Sequence, residues 1–236
     1  MPGAVPARGP AAVRAWLLRD SLNAASTARW TILRLDVSAD GGDGYTYGYF
    51  DTIRPSGDTV HGRYHAYWRR AGDGQWEILA FSRGARPSGA PTLALPEEIL
   101  RAASPAVPFP ARDSTELLRE VFRTEAAFSD SAGGNVAAAF ASFAAPDVGK
   151  CCDGPAWAFG RTAIAGLFSN PPPGNLGPVW TPQLGTVAAS GDLAFTMGPA
   201  WPRKAGADQG RPPANAGRYF TIWRRQPGGE WRYVVD

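Results

Sequence analysis

The acidic residues that could carry chemistry in this chain stand beside turn-forming neighbours. In the second half, Asp147 follows a proline, Asp153 precedes Gly-Pro, and Asp192 follows Ser-Gly. Aspartate is common at such places because its side chain hydrogen-bonds nearby backbone groups and tolerates tight turns. We therefore expect Asp147 to end a helix and Asp192 to serve a turn, and a turn role is also open to Asp153.

The cysteines and histidines do not predict a metal or redox site. Cys151 and Cys152 are adjacent, so a bond between them would close a strained ring, and we expect two small half-buried residues. His61 and His65 lie far from them, with no zinc-site spacing. The sequence also has no Ser/His/Asp arrangement, phosphate-binding loop or cofactor motif. We expect no metal and no cofactor.

Composition narrows the class of protein. The 236 residues include 24 basic and 21 acidic side chains without a basic stripe, so nucleic acid is not an expected partner. Hydrophobic residues make up 44%, enough for a core, but no apolar run approaches the roughly 20 residues of a membrane helix. No signal peptide is visible. As written the chain is expected to be soluble and cytoplasmic, although a missing N-terminal segment could have held a signal peptide.

An internal repeat organises the chain. The segment GRYHAYWRRAGDGQW at 62–76 matches GRYFTIWRRQPGGEW at 217–231, with eight of fifteen positions identical at an offset of 155. Upstream the offset is 150, and it relates Trp30, Thr46 and Gly48 to residues of the same type at 180, 196 and 198. A period of this length is too long for a solenoid and predicts a duplicated domain.

The two copies are unequal. About 46 residues of patterned sequence precede Gly160, whereas eight residues precede its counterpart Gly9. We therefore predict an incomplete first copy at 1–84, a proline-rich linker at 85–112 and a complete copy at 113–236. We expect the coding sequence upstream of Met1 to continue with a helical section, and we expect the apolar surface left without helices to be covered by the other copy or a second chain.

The complete copy shows helical patterns first and strand patterns afterwards. Helices are predicted to begin near Ser114 and Asn135 and after Gly160. Strands are predicted at 180–189, 193–199, 217–225 and 230–235, matched in the first copy by 30–38, 45–53, 59–70 and 75–81. This order predicts an α+β fold with the helices on one face of an antiparallel sheet.

Three motifs carry a family resemblance. They are G-R-x-A-I at 160–164, S-G-D-L-A-F-T-x-G at 190–198 and G-R-Y-x-x-x-W-R-R-x-x-x-G-x-W at 217–231. Together with the element order they resemble the SnoaL-like branch of the nuclear transport factor two-like superfamily, nearest to its small ketosteroid-isomerase-like bacterial domains. The resemblance implies a cone: a strongly curved antiparallel sheet that wraps the N-terminal helices, with an apolar pocket at its open end. It also implies pairing through the sheets.

The resemblance further implies site residues. In the isomerase relatives a carboxylate near the end of the first strand acts as general base in an apolar pocket. Here Asp153 lies within about one residue of that position, and Cys152 is the alternative occupant. Burial suits such a base because desolvation raises a carboxyl pKa. The candidates to bind a ligand are Arg218, for a carboxylate at the mouth, and the aromatic residues Trp157, Phe195, Tyr219 and Trp223.

Three functions stay open at this point. The first is a binding module for a small apolar molecule, favoured by the aromatic strands and the lack of a polar constellation. The second is a cofactor-independent isomerase or hydrolyase that acts on an apolar carbonyl compound with Asp153 as base. The third is an assembly module that forms a homodimer or packs copy against copy through its sheets.

Overall fold

A computed structural model describes residues 7, 9–19, 25–87, 89–151, 154, 156–206 and 211–236. Its N-terminal part consists of helix α1 (Pro10–Leu18) and an antiparallel meander of four strands, β1 (Thr27–Val37), β2 (Asp43–Ile53), β3 (Thr59–Arg70) and β4 (Trp76–Ala85). Three tight turns join the strands at the predicted places, and each uses a glycine with positive φ: Gly41, Gly57 and Gly74. We call these four strands the N-terminal sheet.

The C-terminal part begins with helices. A short helix α2 (Glu97–Arg101) lies in the proline-rich segment, followed by α3 (Ser114–Ala132) and α4 (Val136–Phe143). Asp113 caps α3 by accepting hydrogen bonds from the backbone N–H groups of residues 115 and 116, and Asn135 caps α4. Helix α5 (Gly160–Leu167) follows two short strands, β5 (Ala144–Lys150) and β6 (Ala158–Phe159).

The remaining strands complete a seven-stranded C-terminal sheet. They are β7 (Pro178–Trp180), β8 (Leu184–Val187), β9 (Leu193–Pro202), β10 (Gly217–Arg225) and β11 (Trp231–Val235). The strand order is β6-β5-β11-β10-β9-β7, with β8 also paired to β9, and β5 runs parallel to β11. Helices before antiparallel strands confirm the predicted α+β fold.

Two local predictions need correction. The strand predicted at 180–189 is divided into β7 and β8, because its register with β9 shifts by one residue where the strand passes over Gly198. Asp147 does not end a helix. It lies in β5 with its side chain buried, where Arg34 of the other sheet approaches its carboxylate to 2.7 Å. A charge partner distant in sequence therefore decided the role of this aspartate.

The molecule has three layers. Helices α3, α4 and α5 contact the C-terminal sheet or one another on one side, and the N-terminal sheet packs on the sheet's other face. The shared core between the sheets takes tyrosines from β2 and β3 and apolar residues from β5, β9, β10 and β11, including Tyr45, Tyr47, Tyr67, Phe195, Phe220 and Ile222. Alternation along β2 predicted that its tyrosines share a face, and the structure confirms it.

The face of the N-terminal sheet that points away from this core exposes apolar side chains. Strand alternation and register place six exposed apolar side chains on it: Trp30, Ile32, Leu35, Val37, Trp76 and Ile78. We call this surface the open face. The C-terminal sheet covers the opposite face, so the expectation that the other copy buries the surface left without helices is wrong. The reason is that the face of the N-terminal sheet that carries the tyrosines packs against the C-terminal sheet.

Candidate functional site

The structure divides the predicted ligand-binding residues between two faces of the C-terminal sheet. Tyr219 and Trp223 lie on the helix side, within the concave interior. Phe195 and Trp157 lie on the other side, in the core between the sheets, where Trp157 donates to the Gly48 carbonyl at 3.3 Å. These four aromatic residues therefore do not line one common pocket.

Arg218 alternates with Tyr219 and so lies on the face away from the helices. Its side chain is exposed and borders a shallow cleft of about 120 Å³, which is also lined by Gln183, Ala214, Ala216 and the prolines at 199, 212 and 213. Asp153 and Cys152, the candidates for the base, lie outside the described residues. These assignments of site residues stay predictions.

A polar cluster that the sequence reasoning missed lies inside the C-terminal cone, centred on Glu125 of α3. The side chain is completely buried. The indole N–H of Trp180 donates to one carboxylate oxygen, and the Thr196 hydroxyl donates to the other. The indole Nε1 of Trp223 lies 3.0 Å from that second oxygen and 3.0 Å from the Thr196 hydroxyl. One helix and three strands thus meet at this carboxyl group.

A sequence signal for Glu125 was present. Val121 lies four positions before it and Phe128 three positions after it, so all three share the apolar stripe of α3. A carboxylate within such a stripe must be buried, and a buried carboxylate needs hydrogen-bond donors. The donors come from β7, β9 and β10, far along the chain, which is why a local pattern does not reveal them.

Burial changes the acidity of this cluster. Desolvation raises the pKa of Glu125 to about 7, against the opposing effect of the hydrogen bonds from Thr196, Trp180 and Trp223. Tyr219 has a raised pKa because it is buried and faces the charge of Glu125. Its hydroxyl has no partner in good hydrogen-bonding geometry among the described residues. The cluster could exchange a proton near neutral pH.

Access, however, is closed in this structure. Both oxygens of Glu125 accept hydrogen bonds, and Phe128 beside it packs its ring against Phe140, Phe143, Trp180, Trp223 and Tyr233. A general base must come within hydrogen-bonding reach of the proton that it removes. These contacts therefore hold α3 inside the cone. A substrate could reach Glu125 only if the helices moved away.

The N-terminal sheet has the same residue types at the positions that the sequence repeat relates to the cluster around Glu125, without a carboxylate. Trp30, Thr46, Tyr64 and Trp68 occupy the positions of Trp180, Thr196, Tyr219 and Trp223, at the offsets of the sequence repeat. The strand register agrees: Gly48 pairs with Tyr64 as Gly198 pairs with Tyr219, and residue 30 pairs with 50 as 180 pairs with 200. The indole of Trp68 donates to the Thr46 hydroxyl at 2.9 Å, close to the 3.0 Å of Trp223 and Thr196.

The buried histidine of β3 has a structural role. His65 stacks on Phe220, and its Nε2 lies 3.0 Å from the carbonyl oxygen of that residue. Because a carbonyl can only accept, Nε2 carries the hydrogen, and Nδ1 faces the Cys151 sulfur at 3.9 Å. Burial lowers the pKa of His65 to about 4, so the ring is neutral at physiological pH.

Across the described ranges, no group of three His, Cys, Asp or Glu side chains could hold a metal ion. In the same part of the chain, no helix has the length and apolar character needed to cross a membrane.

Comparison with solved structures finds matches to several chains. A solved structure described as an NTF2-like protein with a cystatin-like fold, from Novosphingobium aromaticivorans, is 24% identical and covers 51% of this chain and 79% of its own, with a TM-score of 0.38. No protein-family model matches the sequence, and no curated protein matches it.

Proposed function

We propose that this protein is a non-catalytic binding module for apolar ligands, and that it binds them on the open face of the N-terminal sheet. The observation that carries this proposal is the contrast between the two sheets. The helix-side face of the C-terminal sheet is filled by α3 and α4, whereas the equivalent face of the N-terminal sheet exposes Trp30, Ile32 and Ile78.

The exposure of these side chains supports binding. Ile32 and Ile78 expose 54% and 50% of their surface, and neighbouring large apolar residues on one face make a contiguous patch. Soluble proteins seldom leave such a patch open without a binding role. Trp30 packs edge-on against Tyr64 at 4.7 Å between ring centroids, so the aromatic part of the surface is preordered.

Titration with the apolar dye Nile red tests this proposal. We expect saturable binding with a blue shift in the wild type and at least a tenfold loss of affinity in Ile32→Glu and Ile78→Glu, because a carboxylate breaks the apolar patch. Leu176→Glu, at a similarly exposed leucine outside this face, is the matched control and should bind normally. Circular dichroism checks that each variant is folded. Undiminished binding by both isoleucine variants would refute the proposed site.

A second candidate function is cofactor-independent isomerisation of an apolar carbonyl compound, with Glu125 as the acid–base group. The pKa of about 7 in an apolar interior, next to Tyr219, favours it. Ultraviolet absorbance would follow conversion of a β,γ-unsaturated ketone to its conjugated isomer. Turnover that is abolished in Glu125→Gln but kept in Asp153→Asn would support this function. Turnover that is lost only in Asp153→Asn would identify Asp153 as the acid–base group. No turnover by the wild type refutes it.

A further inference from the structure

The open face carries, at Trp30, Thr46 and Trp68, the residue types that hold a helix against the C-terminal sheet, and we call these three residues the receptor. In the C-terminal cone, α3 lies against β7, β8 and β9, and Glu125 from the middle of its apolar stripe is received by Trp180, Thr196 and Trp223. The equivalent group of Trp30, Thr46 and Trp68 lines the open face, where no described helix supplies a carboxylate to it.

The receptor contains a hydrogen-bonded polar pair within an apolar surface. Thr46 is buried, and its hydroxyl accepts from the indole of Trp68 in the midst of apolar and aromatic side chains. A hydroxyl buried in an apolar surface weakens apolar contact, so its presence suits a ligand with a polar group at this point. Arg83 lies over the Phe50 ring at 5.7 Å and adds positive charge to the same face. The chemistry of the face therefore matches an acidic group within an apolar ligand.

We propose that the open face binds an amphipathic α-helix of a partner polypeptide, and that an acidic residue in the apolar stripe of this helix is received by Thr46, Trp68 and Trp30. This proposal rests on the proposed function, since it names the partner of the same face. By analogy with α3, the helix carries apolar residues eight and four positions before the acid and three positions after it, as Leu117, Val121 and Phe128 stand around Glu125.

The described helix nearest to this face does not fill it. Helix α1 has nine residues, none of them buried, and its Trp16 reaches the rim, where the Arg83 guanidinium lies 5.6 Å from its ring. The positive charge of Arg83 and the hydroxyl of Thr46 on this face complement an acidic partner, and a separate polypeptide is the source to which we commit.

Binding of a synthetic helix to the whole protein tests the proposal. The probe is a fluorescent peptide of residues 113–133, held helical by a side-chain crosslink between positions 119 and 123, which face solvent in α3. Circular dichroism confirms its helicity, and fluorescence anisotropy measures its affinity. The matched peptide carries Glu125→Gln. The amide of glutamine places an NH2 donor where the carboxyl oxygens accept hydrogen bonds, and an unsatisfied buried polar group costs about 1–3 kcal/mol. We therefore expect the glutamine peptide to bind about tenfold or more weakly.

Protein variants show where the peptide binds. Thr46→Val removes the hydroxyl of the receptor at equal size, and we expect it to weaken binding to a similar extent. Thr59→Val, an exposed threonine at the start of β3, is its control and should leave the affinity unchanged. Binding that persists in Thr46→Val but is lost in Thr196→Val would mean that the peptide displaces α3, and it would overturn the proposal.

The remaining outcomes are also decisive. If the helical peptide does not bind while Nile red still does, the partner is not an acidic helix and the proposed function stands. If neither the peptide nor Nile red binds, both the helix proposal and the proposed function are refuted. Equal affinity of the glutamic acid and glutamine peptides would refute the acidic receptor. A stable dimer in analytical ultracentrifugation that Ile78→Glu dissociates, and that the peptide does not displace, would show that a second copy covers the face.

Discussion

Two buried titratable residues are expected to make the stability of this protein depend on pH. Glu125 fastens a helix into the cone and His65 joins the two sheets, and burial disfavours the charged form of both. Because one is an acid and the other a base, their contributions to stability have opposite pH dependence. A variant at each position therefore measures the contribution of that residue separately.

For Glu125 we expect a contribution to stability that is lost as the pH rises. Its pKa is about 7 in the folded protein against an ordinary value of 4.5, so the folded state binds the proton more tightly. The contribution is complete below pH 4.5 and is lost through pH 7, about 3 kcal/mol in all. Glu125→Gln cannot ionise. Relative to the wild type it should therefore gain about this amount between pH 4.5 and 7.5, measured by urea denaturation.

The matched control for this prediction is Glu116→Gln, which alters an exposed acid of the same helix. Its free energy of unfolding should follow the wild type across the pH range. A constant difference in stability between Glu125→Gln and the wild type at all pH values would contradict the assignment.

The contribution of His65 to stability should be lost as the pH falls. Its pKa is lowered from 6.5 to about 4, so its contribution to stability is complete above pH 6.5 and is lost as the pH falls through 4, again by about 3 kcal/mol. His65→Phe places the residue type of the repeat counterpart, Phe220, at this position and removes the titration. Its unfolding free energy relative to the wild type should rise on acidification. Exposed His61→Phe is the control, and equal acid sensitivity of His65→Phe and the wild type would refute this role.

At the scale of elements, both sheets bend where a strand passes over a glycine. A Cβ on Gly48 would meet the backbone oxygen of Thr31 at 2.0 Å, and a Cβ on Gly198 would meet that of Thr181 at the same distance. The ladder between β1 and β2 shifts register at this point, and the corresponding place in the C-terminal sheet is the break between β7 and β8. Equivalent glycines thus permit equivalent bends in two strands 150 residues apart.

We expect alanine at either glycine to be strongly destabilising. The methyl group would collide with backbone, which cannot rotate away, so Gly48→Ala and Gly198→Ala should each cost about 3 kcal/mol or more. Thermal or urea unfolding measures this. Gly72→Ala, in a turn with no atom within 4 Å of the added methyl group, serves as control. A decrease in the free energy of unfolding of less than about 1 kcal/mol at both positions would show that the backbone accommodates the added methyl group easily.

At the scale of the whole molecule, buried charges join the two sheets. Arg224 of the C-terminal sheet pairs with Asp192 at 2.8 Å and donates to the Val37 carbonyl of the N-terminal sheet at 3.0 Å. The backbone N–H of Ser190 in turn donates to Asp40 across the same boundary, at 3.1 Å. These contacts surround an apolar core to which both sheets contribute, so we expect the sheets to unfold together.

Asp192→Asn tests this coupling. It leaves the buried Arg224 without its closest charge partner, which should cost about 3 kcal/mol. Tryptophan fluorescence and far-ultraviolet circular dichroism should still report one coincident transition. Glu97→Gln, which breaks the exposed pair of Glu97 with Arg101, should cause no measurable change. Two separated transitions in the wild type would contradict a shared core.

The sequence by itself determined where most of the local elements lie. Helix caps at Asp113 and Asn135, glycine turns and two-residue alternation are local signals, and they placed most helices and strands within a few residues. Division of the predicted strand at 180–189 shows the limit of this reasoning, because both parts pair with β9 in registers that differ by one residue, which alternation does not reveal.

Tertiary structure alone decided which sheet face is covered and by what. Alternation places Tyr45 and Tyr47 on one face and Thr46 and Gly48 on the other, but the direction of the core depends on contacts between strands about 150 residues apart. For the same reason Glu125 was not recognised, since its donors belong to three distant strands. Local periodicity specifies faces, and only long-range packing determines that helices cover one face of the C-terminal sheet while apolar side chains of the N-terminal sheet are exposed.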